Sequence, residues 1–541
     1  MFINFADIPG HQNLFLDYLY EFENVERFYE TDFRNIDAYK SVFQKIAGRK
    51  RAHAEQLNAL IKKGYGELTP SKQTLSNIES LSASNTIAVV TGQQLGVLGG
   101  PMYTFYKIIT AIKLCSKLKD KYEEYKFVPV FWMEGDDHDF DEVRELKLID
   151  KTNSLKKIYY NDGLEEETNR GSVAEIKFND NINTFFDELS DALRDTEFKE
   201  GLLNKLKNFY KPGNTFQKAM FNLLFEYFDD SGLVLFNPAD PEVKKLLKPV
   251  FKEEIENYRK HSEHVITVSA ELEEVYHAQI KLKPINLFVS EESGRYSLEP
   301  VEDEYRLKGK RKKFTKDELL ALLEENPSSF SANVLLRPIC QDYLLPTGLY
   351  IGGPSEVSYF AQIIPMYKEF DIPVPVIYPR SSITIVEGTV KKTLEKYNLD
   401  ITDFFKDEHD LNEKLIGLLS DVEMEPVFKK ARTKIEELFD EVKSLIKDLD
   451  PTLEDTTDKT LGRVNQSIDQ LYDKAQKANE RKHETVLRQA DKVRTLIFPE
   501  ASLQEREINF VYFAHKYGED ILKWIFDQLS INKFEHQMLE M

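Results

Sequence analysis

A dense group of carboxylates with one histidine follows the apolar segment FVPVFWM at 127–133. The segment 134–142, EGDDHDFDE, has Asp137, His138 and Asp139 at its centre. The apolar segment predicts a buried strand, so the group falls at a strand's carboxyl end, where open α/β sheets bind ligands. We assign these three residues a catalytic role, in which His138 acts as a base supported by the carboxylates of Asp137 and Asp139. Cation binding, capture of an ammonium group and an acid-rich helix start remain open alternatives.

A glycine-rich loop, TGQQLGVLGGP at 91–101, follows a second apolar segment at 86–90 and precedes a helical stretch. Its glycines match neither G-x-G-x-x-G nor the P-loop pattern. A turn of this kind at a helix N-terminus offers N–H groups and a partial positive charge, which suit phosphate or carboxylate. We therefore expect the loop Gly92–Gly100 to hold an anion. Lys107 either reaches that anion or is simply solvated.

Polar residues also stand near the other predicted strand ends, in NPAD at 237–240, RPICQDYLLPT at 337–347 and IYPRSSIT at 377–384. Five of them either line one cleft or are ordinary loop residues: Asn237, Arg337, Gln341, Arg380 and Ser381. Gly352-Gly353-Pro354 opens a further helix, either as a ligand-facing helix start or as an ordinary strand–helix turn. Cys340 is expected to be packing rather than a nucleophile. The residues that we assign to substrate binding are Gly92, Gln93, Gln94, Gly100, Tyr103, Lys107, Asn237, Glu356, Arg380 and Ser381.

The segment SLQEREINFVYFAHKYG at 502–518 mixes polar and aromatic side chains. Stacking together with hydrogen bonding would suit an adenine ring. A docking surface between a coiled coil and the core is the alternative. The residues assigned to nucleotide binding are Gln504, Glu505, Arg506, Asn509, Tyr512 and Tyr517.

The elements that must position these residues are buried strands, predicted at 86–90, 127–133, 233–236 and 374–378. The first three lack polar–apolar alternation, which is typical of parallel strands covered on both faces. Helical stretches separate them, and LYIGGPSEVSYFAQII at 349–364 again predicts a strand followed by a helix. The pattern predicts an α/β fold with a doubly wound parallel-sheet core.

Charged helical sequence from 391 to 498 predicts an antiparallel coiled-coil hairpin, broken near Pro451. Ile435, Leu438, Val442 and Leu445 follow heptad spacing in its first helix. Such a stripe favours either dimerisation through the arm or packing within the hairpin alone.

These patterns divide the chain into seven stretches. The core is expected at 1–150, 231–276 and 331–390, and insertions at 151–230 and 277–330. The arm is expected at 391–498, and 499–541 is expected to pack back on the core.

Composition narrows the class of protein. With 541 residues and 41% apolar side chains, the chain can bury a large core. A formal charge of −21 disfavours binding to nucleic acid or anionic lipid. Two cysteines support neither a disulfide framework nor a zinc site, and we expect no metal held by the protein alone. No signal-like start or long apolar run is found, so we expect a cytoplasmic protein that does not enter membranes.

Five motifs, in this order, resemble the BshC family of cysteine ligases in bacillithiol biosynthesis. They are VVTGQQLGVLGGPMYTFYK, FWMEGDDHDFDE, LPTGLYIGGPSEVSYFAQ, YPRSSIT and LQERE with the KYG that follows. The resemblance extends from about residue 86 to 520. It implies a Rossmann-like core with two connective-peptide insertions, and a C-terminal antiparallel coiled-coil arm that makes a homodimer.

The resemblance also implies an activity, the addition of cysteine to the amine of glucosaminyl-malate. It further implies a nucleotide, such as ADP, in a pocket between core and coiled coil. An amide from a free carboxylate needs activation, which ATP would supply, with Mg²⁺ offsetting the phosphate charge. The expected function is thus an ATP-dependent ligase. The alternative is a non-catalytic nucleotide-binding scaffold that recruits partners through its coiled coil.

Overall fold

The computed structural model describes residues 1–137, 139–292, 294–419 and 424–541, and divides them into two compact units. The core unit comprises 1–385 and 502–539, and the arm unit comprises 386–501 and 540–541. No helix in the described ranges is long and apolar enough to cross a membrane.

The centre of the core unit is a five-stranded parallel sheet, which confirms the predicted fold class. Its strands are β1 (Thr86–Gln94), β2 (Lys126–Glu134), β3 (Val234–Phe236), β4 (Thr347–Gly352) and β5 (Val376–Pro379). Their spatial order is β5-β4-β1-β2-β3. The direction of winding reverses between β1 and β4, and doubly wound folds bind ligands outside the carboxyl ends at this switch point.

Two long helices follow the strands that flank the switch point. Helix α1 (Tyr103–Lys121) connects β1 to β2, and helix α2 (Pro354–Glu369) connects β4 to β5. Pro354 occupies the first turn of α2, where its missing N–H costs nothing. Gly99 and Gly100 have φ of +83° and +69°, and these conformations let the chain turn sharply from β1 toward α1.

The remaining helices and strands of the core unit cover the sheet and fill its connections. Before β1 lie helices Asn13–Tyr20, Tyr39–Gly48, Ala54–Gly64 and Lys72–Ser80. Between β2 and β3 lie helix Phe140–Val143, the antiparallel strands Glu145–Ile149 and Leu155–Tyr159, and helices Asn181–Ala192, Lys199–Phe209 and Phe216–Phe228. Helices Pro241–Leu246 and Lys248–Glu273 follow β3, and helix Arg337–Leu344 precedes β4.

A second five-stranded sheet, antiparallel, lies between β3 and β4 in the chain. Its strands are Leu287–Glu291, Gly294–Val301, Glu304–Leu307, Lys313–Phe314 and Phe330–Ala332, with helix Lys316–Glu325 before the last of them. A small sheet joins strands Phe2–Ile3, His536–Glu540 and Ser382–Val386. Helices Gln504–Glu507, Phe510–Tyr517 and Ile521–Gln528 complete this unit.

The arm unit is helical. Its elements are helices Gly388–Tyr397 and Glu408–Leu419, then α3 (Met424–Leu449), α4 (Glu454–Lys482) and α5 (Glu484–Ile497). Helices α3 and α4 run antiparallel, because Arg432 pairs with Asp469 at 2.7 Å and Lys443 pairs with Asp458 at 2.7 Å. The predicted hairpin and its break near residue 451 are therefore confirmed.

Candidate active site

A cavity of about 510 Å³ opens at the carboxyl ends of β1, β2 and β4. Its floor is the end of β1, from Gly92 to Gln94, with Trp132 and Glu134 from the end of β2. The first turn of α2, from Gly353 to Glu356, forms the opposite wall. The cavity thus lies at the switch point of the sheet, where this topology binds its ligands.

A buried ion pair between Lys107 of α1 and Glu356 of α2 joins the two halves of the sheet. The Lys107 ammonium also donates to the Gly92 carbonyl and to the Gln93 side chain, both at 3.0 Å. Burial alone would raise the pKa of Glu356, but Lys107, together with the N–H of Gly353, holds it below its ordinary value. Lys107 is therefore a fixed part of the cavity wall rather than a solvated side chain.

The carboxylate of Glu356 organises the wall around it. It accepts the Gly353 N–H at 2.8 Å and the hydroxyl of Tyr350 at 2.5 Å. Arg337 in turn donates to the hydroxyls of Tyr350 and Tyr359, both at 3.1 Å. Since Glu356 already caps the start of α2, an anion in this cavity would meet side-chain cations rather than the helix N-terminus.

Carboxylates at the end of β2 form an acidic patch. Glu134 accepts the Trp132 indole N–H at 2.9 Å, and Gln94 donates to Asp137. Burial and the neighbouring Asp136 carboxylate raise the pKa of Glu134. Partial burial also raises the pKa of Glu142, and the negative charge of the Asp139 carboxylate raises it further. Carboxyls with a raised pKa are suited to proton transfer near neutral pH.

Arg380 contributes a cation from the end of β5. Its guanidinium pairs with Glu505 at 2.6 Å and lies 5.3 Å from the centre of the Tyr103 ring. Burial alone would raise the pKa of Glu505, but the Arg380 guanidinium keeps it low. Glu505 also accepts the Ser382 hydroxyl at 2.8 Å and the Ile383 N–H at 2.9 Å. These contacts hold Arg380 in place against the cavity.

The antiparallel sheet and the segment before it supply the outer wall. Arg295 donates to Ser331 at 2.8 Å and to the Ala332 carbonyl at 2.9 Å, and its guanidinium lies 3.7 Å from the Phe288 ring centre. Lys281 and Lys283 are exposed and also line the cavity. Among the residues that the structure describes, seven cationic and four acidic side chains line it, so the cavity attracts anions and still offers carboxylates for an amine.

A second cavity of about 230 Å³ adjoins the first and shares Gln93, Gln94, Tyr103, Glu142 and Arg506 with it. The glycine-rich loop forms part of its wall, through Gly96, Gly100 and Pro101. The N–H groups of Gly99 and Gly100 donate within the loop, at 3.1 Å each. Asn509 fixes the loop by donating to the carbonyls of Leu98 at 2.9 Å and Gly100 at 2.6 Å.

The structure brings most of the predicted substrate residues together. Seven of them line the main cavity: Gly92, Gln93, Gln94, Tyr103, Lys107, Glu356 and Arg380. Asp137 from the predicted catalytic residues and Arg506 from the predicted nucleotide-binding residues line it as well. Gly100 and Asn509 line only the second cavity. His138 lies outside the described residues. Asp139 is exposed and accepts the Glu142 N–H at 3.2 Å, as the cap of helix Phe140–Val143.

Other predicted residues support the backbone of the core unit. Gln504 exchanges hydrogen bonds with the backbone of Ile385 at 2.8 and 3.0 Å. Ser381 donates to the Ser530 carbonyl at 3.0 Å. Within the described part of the chain, the walls of the two cavities do not include Asn237, Ser381, Gln504, Glu505, Tyr512 or Tyr517.

Several wall residues were not among the predicted site residues: Trp132, Glu134, Glu142, Lys281, Lys283, Phe288, Arg295, Tyr350 and Tyr359. Glu134 and Glu142 stand within the acidic segment that the sequence singled out, so their position at a strand end was the available signal. Cys340 is buried, and burial raises the pKa of its thiol, which disfavours a nucleophilic role.

Comparison with known proteins agrees with this architecture. Residues 1–381 match the family model "Bacillithiol biosynthesis BshC, N-terminal Rossmann-like domain", and residues 383–541 match the "C-terminal coiled-coil domain" of the same family. Among curated relatives, a "Putative cysteine ligase BshC" of Salinibacter ruber is 34% identical over 99% of this chain and 97% of its own length.

Two further relatives carry the same printed description. The protein of Chloroherpeton thalassium is 32% identical over 97% of this chain and 96% of its own length. That of Chlorobaculum tepidum is 31% identical over 95% of this chain and 94% of its own length. With both domains matched and relatives aligned over nearly the full length, the chain belongs to the BshC family of bacillithiol biosynthesis.

Proposed function

We propose that this protein is an ATP-dependent ligase that joins the carboxyl group of cysteine to the amine of glucosaminyl-malate. The observation that carries the proposal is the switch-point cavity, which combines an excess of cations with an acidic patch. The malate carboxylates and the phosphates of ATP are anions and need the cations. The aminosugar nitrogen needs a carboxylate nearby to hold or remove its proton.

The chemistry requires an activated cysteine. A carboxylate oxygen of cysteine attacks a phosphorus of ATP, and either ADP or pyrophosphate leaves. The amine nitrogen then attacks the acyl carbon, and the carbon–oxygen bond to the phosphoryl or adenylyl group breaks with its electron pair. The amine loses a proton, and we assign the role of accepting it to Asp137 or to His138, the next residue in the sequence. Mg²⁺, which proteins bind through one or two carboxylates and substrate phosphates, would find Glu134 and Asp137 in this cavity.

The reaction is tested with purified full-length protein, cysteine, glucosaminyl-malate, ATP and Mg²⁺. Mass spectrometry should detect bacillithiol, and the nucleotide product should be either ADP or AMP in equal amount. Omitting ATP should abolish the product. Absence of product with all substrates present, in folded protein, would favour the nucleotide-binding scaffold instead.

A further inference from the structure

The second cavity differs from the main one in size and in the balance of its charges. It has less than half the volume, about 230 Å³ against 510 Å³. Lys147 in its wall is paired with Glu507 at 2.7 Å and with Glu145 at 3.3 Å. The walls therefore hold more carboxylate than cation, in contrast to the main cavity.

The wall common to both cavities carries one charge of each sign. Arg506 is exposed at this position, and Glu142 stands with it in the same wall. A free α-amino acid carries a carboxylate and an ammonium group on one carbon. An exposed guanidinium and a carboxylate in one small cavity are the complement of such a zwitterion.

The rest of the second cavity suits a short side chain. Val143 and Leu146 present buried apolar side chains, and Gly96 and Gly100 present backbone. A Cβ atom on Gly96 would lie 2.7 Å from the Gly100 Cα, so this wall stays free of side chains there. A methylene and a thiol would rest against this surface without a polar partner.

Resting on the proposed function, we infer that the second cavity is the subsite for free cysteine. Its carboxylate faces Arg506 and its ammonium group faces Glu142, while the larger aminosugar conjugate occupies the main cavity. The shared wall then places the cysteine carboxyl next to the amine that it is to join. Each substrate enters its own cavity, and so the two bind together rather than in competition.

Isothermal titration of full-length protein tests this arrangement. Cysteine should bind with the same affinity with and without saturating glucosaminyl-malate, both measured in the presence of a non-hydrolysable ATP analogue. Arg506→Gln should weaken cysteine binding about 10- to 100-fold, the value of one charge-assisted hydrogen bond. Cysteamine, which lacks the carboxylate, should bind wild-type and Arg506→Gln protein equally.

The matched control is Lys281→Gln, which removes an exposed cation from the main cavity only. This substitution should weaken the binding of glucosaminyl-malate and leave the affinity for cysteine unchanged. Competition between the two substrates would contradict the assignment of the second cavity to cysteine. A loss of cysteine binding in Lys281→Gln but not in Arg506→Gln would contradict it as well. If that happens while bacillithiol still forms, the proposed function stands. If neither substrate binds and no product forms, both proposals fail.

Discussion

At the scale of single residues, the acidic segment after β2 divides into carboxylates that support the backbone and carboxylates that face a cavity. Asp139 caps a short helix, and Asp136 pairs with the buried Lys244. Asp137 and Glu142 line the main cavity. The sequence shows only that acidic residues cluster here, because the direction of each side chain depends on the turn that follows the strand.

Asp137→Asn should lower kcat about 10²- to 10⁴-fold if Asp137 acts as the base, because the amide cannot accept the amine proton. The steady-state rate of bacillithiol formation measures this, with calorimetry to show that the variant folds. Asp141→Asn, the same change at an exposed residue paired with Arg144, should keep wild-type turnover. Full activity in both Asp137→Asn and His138→Ala would refute this catalytic assignment.

His536 makes the core unit sensitive to acid. Its ring is fully buried, 2.7 Å from the Ser382 hydroxyl and 2.9 Å from that of Thr384, and burial lowers its pKa from 6.5 to about 4. Between these two values the unfolded chain binds more protons than the folded one. Stability is therefore lost as pH falls from 6.5 to 4, by about 3 kcal/mol in total.

His536→Gln should reduce the drop in melting temperature between pH 7.5 and 5, because glutamine keeps hydrogen-bonding capacity but does not titrate. Scanning calorimetry at both pH values measures the drop. His277→Gln, at an exposed histidine, should leave the wild-type drop unchanged. An equal drop in wild type and His536→Gln would show that another group carries the pH dependence.

At the scale of elements, sequence patterns located the strands and the arm well. The apolar segments at 86–90 and 127–133 lie within β1 and β2, because strands buried on both faces need unbroken apolar runs. The outer wall of the cavity was missed. Arg295 reaches it from the antiparallel sheet and Lys283 from the segment before that sheet, and the position of both over the main sheet depends on tertiary packing, which leaves no local pattern.

The contact between β1 and β2 at Gly92 gives a prediction at this scale. A Cβ atom there would lie 2.8 Å from the Trp132 carbonyl oxygen, which is backbone and cannot rotate away. Gly92→Ala should therefore destabilise the core unit by about 1–3 kcal/mol, seen as a lower melting temperature in calorimetry.

The control is Gly201→Ala, in helix Lys199–Phe209, where nothing lies within 4 Å of the added atom. It should leave stability unchanged or raise it by up to about 1 kcal/mol, because alanine favours helix. A melting temperature that is equally low in both variants would contradict the close approach of the two strands.

At the scale of the whole molecule, the arm presents an apolar stripe that the hairpin itself leaves exposed. Leu438, Val442, Leu445 and Leu449 of α3 are 58%, 44%, 66% and 77% exposed. Phe428 instead packs on Tyr472 of α4, with ring centres 5.1 Å apart. Packing within the hairpin thus leaves the stripe uncovered, and we propose that a second copy of the chain covers it.

Leu445→Glu should convert the dimer to a monomer, because the stripe cannot be buried with a charge at its centre. Multi-angle light scattering gives the mass directly. Ser444→Glu adds the same charge at an exposed position outside the stripe and should leave the dimer intact. A dimer that persists in Leu445→Glu would place the interface elsewhere.

The hydrogen bonds from Asn509 to the loop carbonyls of Leu98 and Gly100 can form only late in the synthesis of the chain. The bonded residues are 411 and 409 positions apart, and residues 386–501 of the arm unit are synthesised between them. At ribosomal rates of roughly 5–20 residues per second, Asn509 is synthesised about 20–80 seconds after the loop to which it donates its hydrogen bonds. The wall between the two cavities is thus completed only after the helices of the arm have been translated, so a nascent chain that ends before residue 509 lacks a finished site.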